Sequence, residues 1–185
     1  MKLPSWVIKV PKYTKEKDYF LPALKNKKEY DEIFQLLGHI PGLIVPEHTL
    51  VINGFRNRKP TSAVIQAFLG SNFRDLFTEV PSEELAHLLR DNPSFLDTTK
   101  QLVAAFSSHP QLYEKQLDIP GNRNLSVITS PQGSKLLLLD PHYRGSAYRE
   151  KEKEELIRQR ISYLEATLSR SQRSYMRGPM LVKTP

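Results

Sequence analysis

The stretch 147–174 contains neither proline nor glycine, in a chain of 185 residues whose 14 prolines and 8 glycines are otherwise spread along its length. Such a segment predicts one uninterrupted helix. At about 1.5 Å per residue it would be roughly 42 Å long. A compact domain of this size has a radius of gyration of only about 16 Å. The helix must therefore cross the whole body or project from it, and the rest of the fold has to be arranged around it.

The two halves of this segment differ. Residues 149–155 are charged and show no apolar stripe, which predicts a solvated segment of about two turns. From Ile157 onward a seam follows: Ile157, Ile161, Leu164 and Leu168, then Tyr175. At about 100° per residue these side chains fall within a sector roughly 60° wide. That is narrower than the usual core-facing stripe and closer to a coiled-coil seam, so it reads as a surface for a protein partner. On the opposite side lie Arg170, Arg173 and Arg177, interleaved with serines. Guanidinium groups bind phosphate through paired donors, and hydroxyls add to them. Cations in the last turns also complement a helix dipole. That explains any single arginine, but not the absence of acids from Ala166 to Pro185.

The charge of the whole chain follows the same division. The formal net charge is +7. Residues 1–40 hold eight lysines against five acids, residues 41–145 hold ten bases and ten acids, and residues 146–185 hold nine bases and five acids. A neutral body with two basic ends suits a protein that meets something negative. This gives three regions: an extended basic N-terminal arm over 1–26, a mostly helical body over 27–145, and a long charged helix with a basic tail over 146–185.

With 39% apolar residues the chain can bury one core. The absence of cysteine excludes disulfides, thiolate metal sites and a cysteine nucleophile, and fits a reducing compartment. No apolar run approaches the roughly 20 residues of a membrane span, and Met1–Trp6 lacks the apolar core of a secretory signal. The expected setting is the cytoplasm.

Along the chain, Pro4, Pro11 and Pro22 favour an extended start, with Trp6–Val10 as a short edge strand. Lys9 and Lys12 alternate there with aromatics, a composition that suits unpaired bases or the surface of a partner protein. Lys27–Leu37 reads as a helix with Tyr30, Phe34 and Leu37 on one face and Gly38 as its stop. Leu43–Val45 and Thr49–Ile52 are short strand candidates. Thr61 is placed to cap a helix reaching Leu69. The bases Arg56, Arg58 and Lys59 then precede a helix start, where free amides favour anions. The segment fails as a P-loop, because the second glycine is missing and Pro60 separates Lys59 from Thr61. A solvated basic loop is the plainer reading.

Two further helices follow, with Ser82 capping Glu83–Arg90 and Ser94 with Asp97 in capping-box register. The second has Phe95, Leu102 and Phe106 on its apolar face and ends at His109-Pro110. Leu125–Thr129 and Lys135–Leu139 form a β-hairpin, and four consecutive leucines predict a strand covered on both faces. Asp140, His142 and Arg144 stand after the hairpin, but no partner for metal or acid–base chemistry accompanies them, and a turn explains them. The five histidines show no metal-ligand spacing.

The expected fold is α+β, predominantly helical, with a small antiparallel hairpin and a long C-terminal helix. The expected function is that of a non-enzymatic subunit of a larger assembly, without metal or cofactor. It would contact protein through its body and the seam Ile157–Leu168, and nucleic acid or an acidic partner through its basic ends. A protein-only adaptor and a nucleic-acid-processing enzyme using His142 are the alternatives.

Overall fold

The computed structural model describes residues 6–9, 20–56, 59–67, 72–114, 117, 119–121, 123–139 and 150–176, with the side chains of 9, 20–23, 26, 51–62, 150 and 172–176 outside that description. The fold is α+β, with two three-stranded antiparallel sheets and a long C-terminal helix. The N-terminal sheet comprises β1 (Trp6–Lys9), β2 (Glu47–Arg56) and β3 (Lys59–Ala67), in the order β1-β3-β2. The second sheet comprises β4 (Phe73–Asp75), β5 (Leu125–Ser130) and β6 (Gly133–Leu138), in that order. The helices are α1 (Phe20–Leu37), α2 (Ser82–Asp91), α3 (Pro93–Ser108), the single turn α4 (Gln111–Glu114) and α5 (Glu150–Met176).

The expected edge strand at Trp6 forms: among the described residues β1 pairs only with β3, from Trp6↔Ala67 to Lys9↔Val64. The expected helix from Thr61 does not. Residues 59–67 are the central strand of the first sheet, paired on one side with β1 and on the other with β2. Thr61, Val64 and Ile65 are β-branched and fit a pleated surface. Pairing on both edges outweighs the local cap signal at Thr61. Arg56 and Lys59 therefore flank a hairpin tip, with Cα pairing Arg56↔Lys59, and no helix N-terminus lies behind them.

Helix α1 begins at Phe20, earlier than the expected Lys27. Pro22 sits in the first turn, where a missing amide costs no intrahelical hydrogen bond. Its buried stripe is Ile33 and Leu37, while Phe34 is exposed and stacks on the half-buried Tyr30 at 5.9 Å. The caps also differ from expectation. Pro81, not Ser82, precedes α2, and no side chain caps it. Asn92, not Ser94, caps α3: its side chain accepts from the Phe95 amide at 3.0 Å, with Pro93 just inside. The same side chain donates to the Ser134 carbonyl at 2.9 Å, tying α3 to the β5–β6 turn. Gly133 stands there at φ +114°, where a Cβ would come within 3.1 Å of Asn92 Nδ2.

The core forms where α2, α3 and α4 pack on α5, and α3 on β6. Phe95, Leu102 and Phe106 are all buried, as their spacing predicts. Leu136, Leu137 and Leu138 are buried on both faces of β6. The free edge of β6 is closed by the segment 43–45, where Leu138 N donates to Leu43 O at 2.7 Å and Val45 N to Leu138 O at 3.2 Å. That segment leads directly into β2, so it links the two sheets.

Candidate functional site

The apolar seam of α5 is consumed by the fold. Ile157, Ile161, Leu164 and Leu168 are all buried in the main core cluster, against the helices that pack on α5. Their expected role as a surface for another protein is therefore corrected: the narrow stripe meets this chain's own helices. The stripe also starts earlier than expected. Lys153, one turn before Ile157, is buried, so residues 149–155 are not solvated all round.

What α5 leaves outside is charge. Its first half neutralises itself, with Arg158 bonded to Glu154 at 2.7 Å and lying over the Tyr113 ring at 4.2 Å. Arg160 donates to the Ile119 carbonyl at 2.7 Å and lies over the Phe77 ring at 4.6 Å. Elsewhere, Arg74 grips Glu84 with both terminal nitrogens, Arg90 pairs with Asp91, and Arg123 with Glu79. Arg170 differs. It is exposed, and it donates only to Ala166 O at 3.4 Å and Thr167 Oγ1 at 3.3 Å on its own helix. Among the described residues it meets no carboxylate. The backbone of α5 continues through Arg173 to Met176, whereas the Arg173 side chain, Arg177 and the tail with Met180–Val182 lie outside the described residues. So do Lys12, Arg58 and the Asp140–Gly145 segment.

A second surface is the outer face of the first sheet, which spacing alone did not single out. Strand pairing sets its membership. Trp6 and Ile8 lie opposite Ala67 and Ile65, and His48 and Leu50 opposite Ile65 and Ala63, so these residues share one face. The other face carries the buried Glu47, Val64 and Gln66, and Gln66 donates to the Val45 carbonyl at 3.3 Å. On the outer face Trp6 is 53% exposed, Ile8 52% and Leu50 42%. An exposed large apolar cluster is uncommon enough on a monomer to suggest a contact surface.

A third feature is a cavity of about 530 Å³ between α5 and the β4–α2 turn, lined by Phe77, Val80, Gln159, Arg160 and Tyr163 among others. Its polar neighbours are committed to the fold. Asp75 is buried and accepts from the amides of Phe77 (2.9 Å), Thr78 (2.9 Å) and Arg123 (2.7 Å). The Arg123 guanidinium and the Asp75 amide hold the Glu79 carboxyl below its ordinary range. Among the described residues no group of three His, Cys, Asp or Glu side chains could hold a metal ion, and no helix is long and apolar enough to cross a membrane.

No family model, no curated protein and no solved structure matches this chain.

Proposed function

We propose that this chain is a non-enzymatic subunit of a larger assembly that holds nucleic acid through the C-terminal part of α5. One observation carries the reading: Arg170 is exposed and meets no carboxylate among the described residues, while Arg74, Arg90, Arg123 and Arg158 each face one. Arg173 and Arg177 continue its series, and no acid follows Glu165. Phosphate oxygens are acceptors that match such a series of forks. The basic N-terminal arm with Lys9 and Lys12 adds cations of the same kind. Protein contacts fall to the body. The alternative of an oligomer joined through Ile157, Ile161, Leu164 and Leu168 loses its support, because those side chains are buried within the chain. A cytoplasmic setting and the absence of a cofactor belong to the same proposal, in keeping with a chain that has no cysteine.

The test is binding of single- and double-stranded oligonucleotides across a salt series. Each phosphate contact contributes about 0.7 to 0.9 to the slope of log K against log salt. Reversing Arg170, Arg173 and Arg177 to glutamate is expected to weaken binding and flatten that slope. Absence of binding at low salt, or an unchanged slope in the triple variant, refutes the reading. Binding of polyglutamate alone would point instead to an acidic protein.

A further inference from the structure

We infer that the cavity between α5 and the β4–α2 turn receives an unpaired base of a nucleic-acid strand whose phosphate lies on Arg170. This rests on the proposed function and deepens it, because it makes the ligand single-stranded. The cavity and the arginine belong to one face of α5. Gln159, Tyr163, Ala166 and Arg170 follow one another at spacings of four, three and four, within a sector roughly 60° wide. Gln159 and Tyr163 line the cavity, while the buried seam from Ile157 to Leu168 occupies the other side of the helix. From Tyr163 to Arg170 the helix rises about 10.5 Å. The arginine turns back over that gap, donating to Ala166 O and to Thr167 Oγ1, so its guanidinium is held about one turn from Tyr163. An anion bound there is a neighbour of whatever fills the cavity.

The lining suits a base. Phe77 and Tyr163 meet edge to face with ring centroids 6.3 Å apart, and the Arg160 guanidinium lies over the Phe77 ring at 4.6 Å. Aromatic rings and guanidinium planes are the surfaces on which unpaired bases stack. Gln159, Ser82 and Thr78 add an amide and two hydroxyls to the same walls, and such groups pair with base edges. Glu79 is the one carboxylate of the lining, and Arg123 holds it, so the cavity does not turn a phosphate away. The volume of about 530 Å³ lies within the range of about 300–1,000 Å³ usual for small organic groups. A base inside a duplex is paired and stacked and cannot enter. An acyl chain would match the rings but set Gln159, Ser82 and Thr78 against hydrocarbon. A planar, polar-edged ring joined to a phosphate satisfies the cavity and Arg170 together.

The probes are a short oligothymidine and an abasic strand of the same length and charge, each titrated into the full chain. The expected result is binding of oligothymidine about tenfold tighter than of the abasic strand. Tyr163→Leu should abolish that difference and leave the abasic affinity unchanged, with circular dichroism verifying the fold. A photoreactive thiothymidine strand should cross-link to the unaltered chain within the tryptic segment 161–170 that carries Tyr163, or at Phe77. That measurement decides the matter should Tyr163→Leu unfold. Equal affinity for the two strands, cross-links only outside the cavity lining, or an equal loss for both strands in a folded Tyr163→Leu overturns the inference. So does displacement of the strand by an equal concentration of thymidine monophosphate, which would mean a site for free nucleotide. Duplex or abasic binding as tight as that of oligothymidine, and dependent on Arg170, upholds the proposed function and overturns only the cavity. Cross-linking at Tyr163 with an unchanged salt slope in the triple arginine variant upholds the cavity and overturns the proposed function.

Discussion

The two sheets of this protein each have three antiparallel strands and end in opposite conditions. In the second sheet, Leu125 and Val127 of β5 and Leu136–Leu138 of β6 are buried, the face toward α3 is covered, and the edge of β6 is closed by residues 43–45. In the first sheet the face of Glu47, Val64 and Gln66 is buried, while among the described side chains of the opposite face only Ala63 is. That opposite face keeps Trp6, Ile8 and Leu50 in contact with solvent. Stability therefore resides mainly in the second sheet and its helices, and the first sheet has surface to spare for binding. An apolar side chain on the bare face adds little to folding, because folding does not remove it from water.

The sharpest way to break this comparison is to truncate one leucine in each sheet. Leu136→Ala, at a position 1% exposed, is expected to cost about 2–5 kcal/mol in urea unfolding. Leu50→Ala, at 42% exposed, should stay within about 0.5 kcal/mol. Similar losses at the two sites would mean that the outer face is covered after all.

The next effect concerns the junction that holds the second sheet to α2. Asp75→Ala removes the acceptor for the amides of Phe77, Thr78 and Arg123. Leaving buried donors unpaired costs about 1–3 kcal/mol, read by thermal or urea denaturation. A neutral effect would show that water replaces the carboxylate.

The smallest effect is a dependence on pH. Glu79, Glu84 and Asp91 are each held below their ordinary values, first by the side chains of Arg123, Arg74 and Arg90 respectively. The unfolded chain therefore takes up protons first as the solution is acidified. The stabilisation is present above the ordinary carboxylate range of about 3.9–4.3 and is lost as pH falls through the lower folded values. These pairs are partly solvated, so the change is modest. Arg123→Ala should reduce the fall in urea midpoint on acidification, and an unchanged profile would contradict the assignment to Glu79.

Much of this architecture was legible in the residues. The proline- and glycine-free segment forms α5, the leucine run forms a doubly buried strand, and Phe95, Leu102 and Phe106 define the buried face of α3. What failed was nonlocal. Thr61–Ala67 is a strand because it pairs on both edges, with β2 across the hairpin and with β1, and only β1 is far away in sequence. The α5 seam looked like an interface because its width alone does not say which surface will meet it. The burial of Lys153 was readable in principle, since it lies four residues before Ile157 on the same stripe. The sheet face needed the registers of three strands, although the acid-free stretch His48–Arg74 was visible as a one-sided charge pattern.

The most direct test of the contrast between the two sheets is collisional quenching of Trp6 in the free protein at low concentration and low ionic strength. An exposed indole predicts red-shifted emission, quenched readily by both iodide and caesium. Blue-shifted emission shielded from both ions would contradict it.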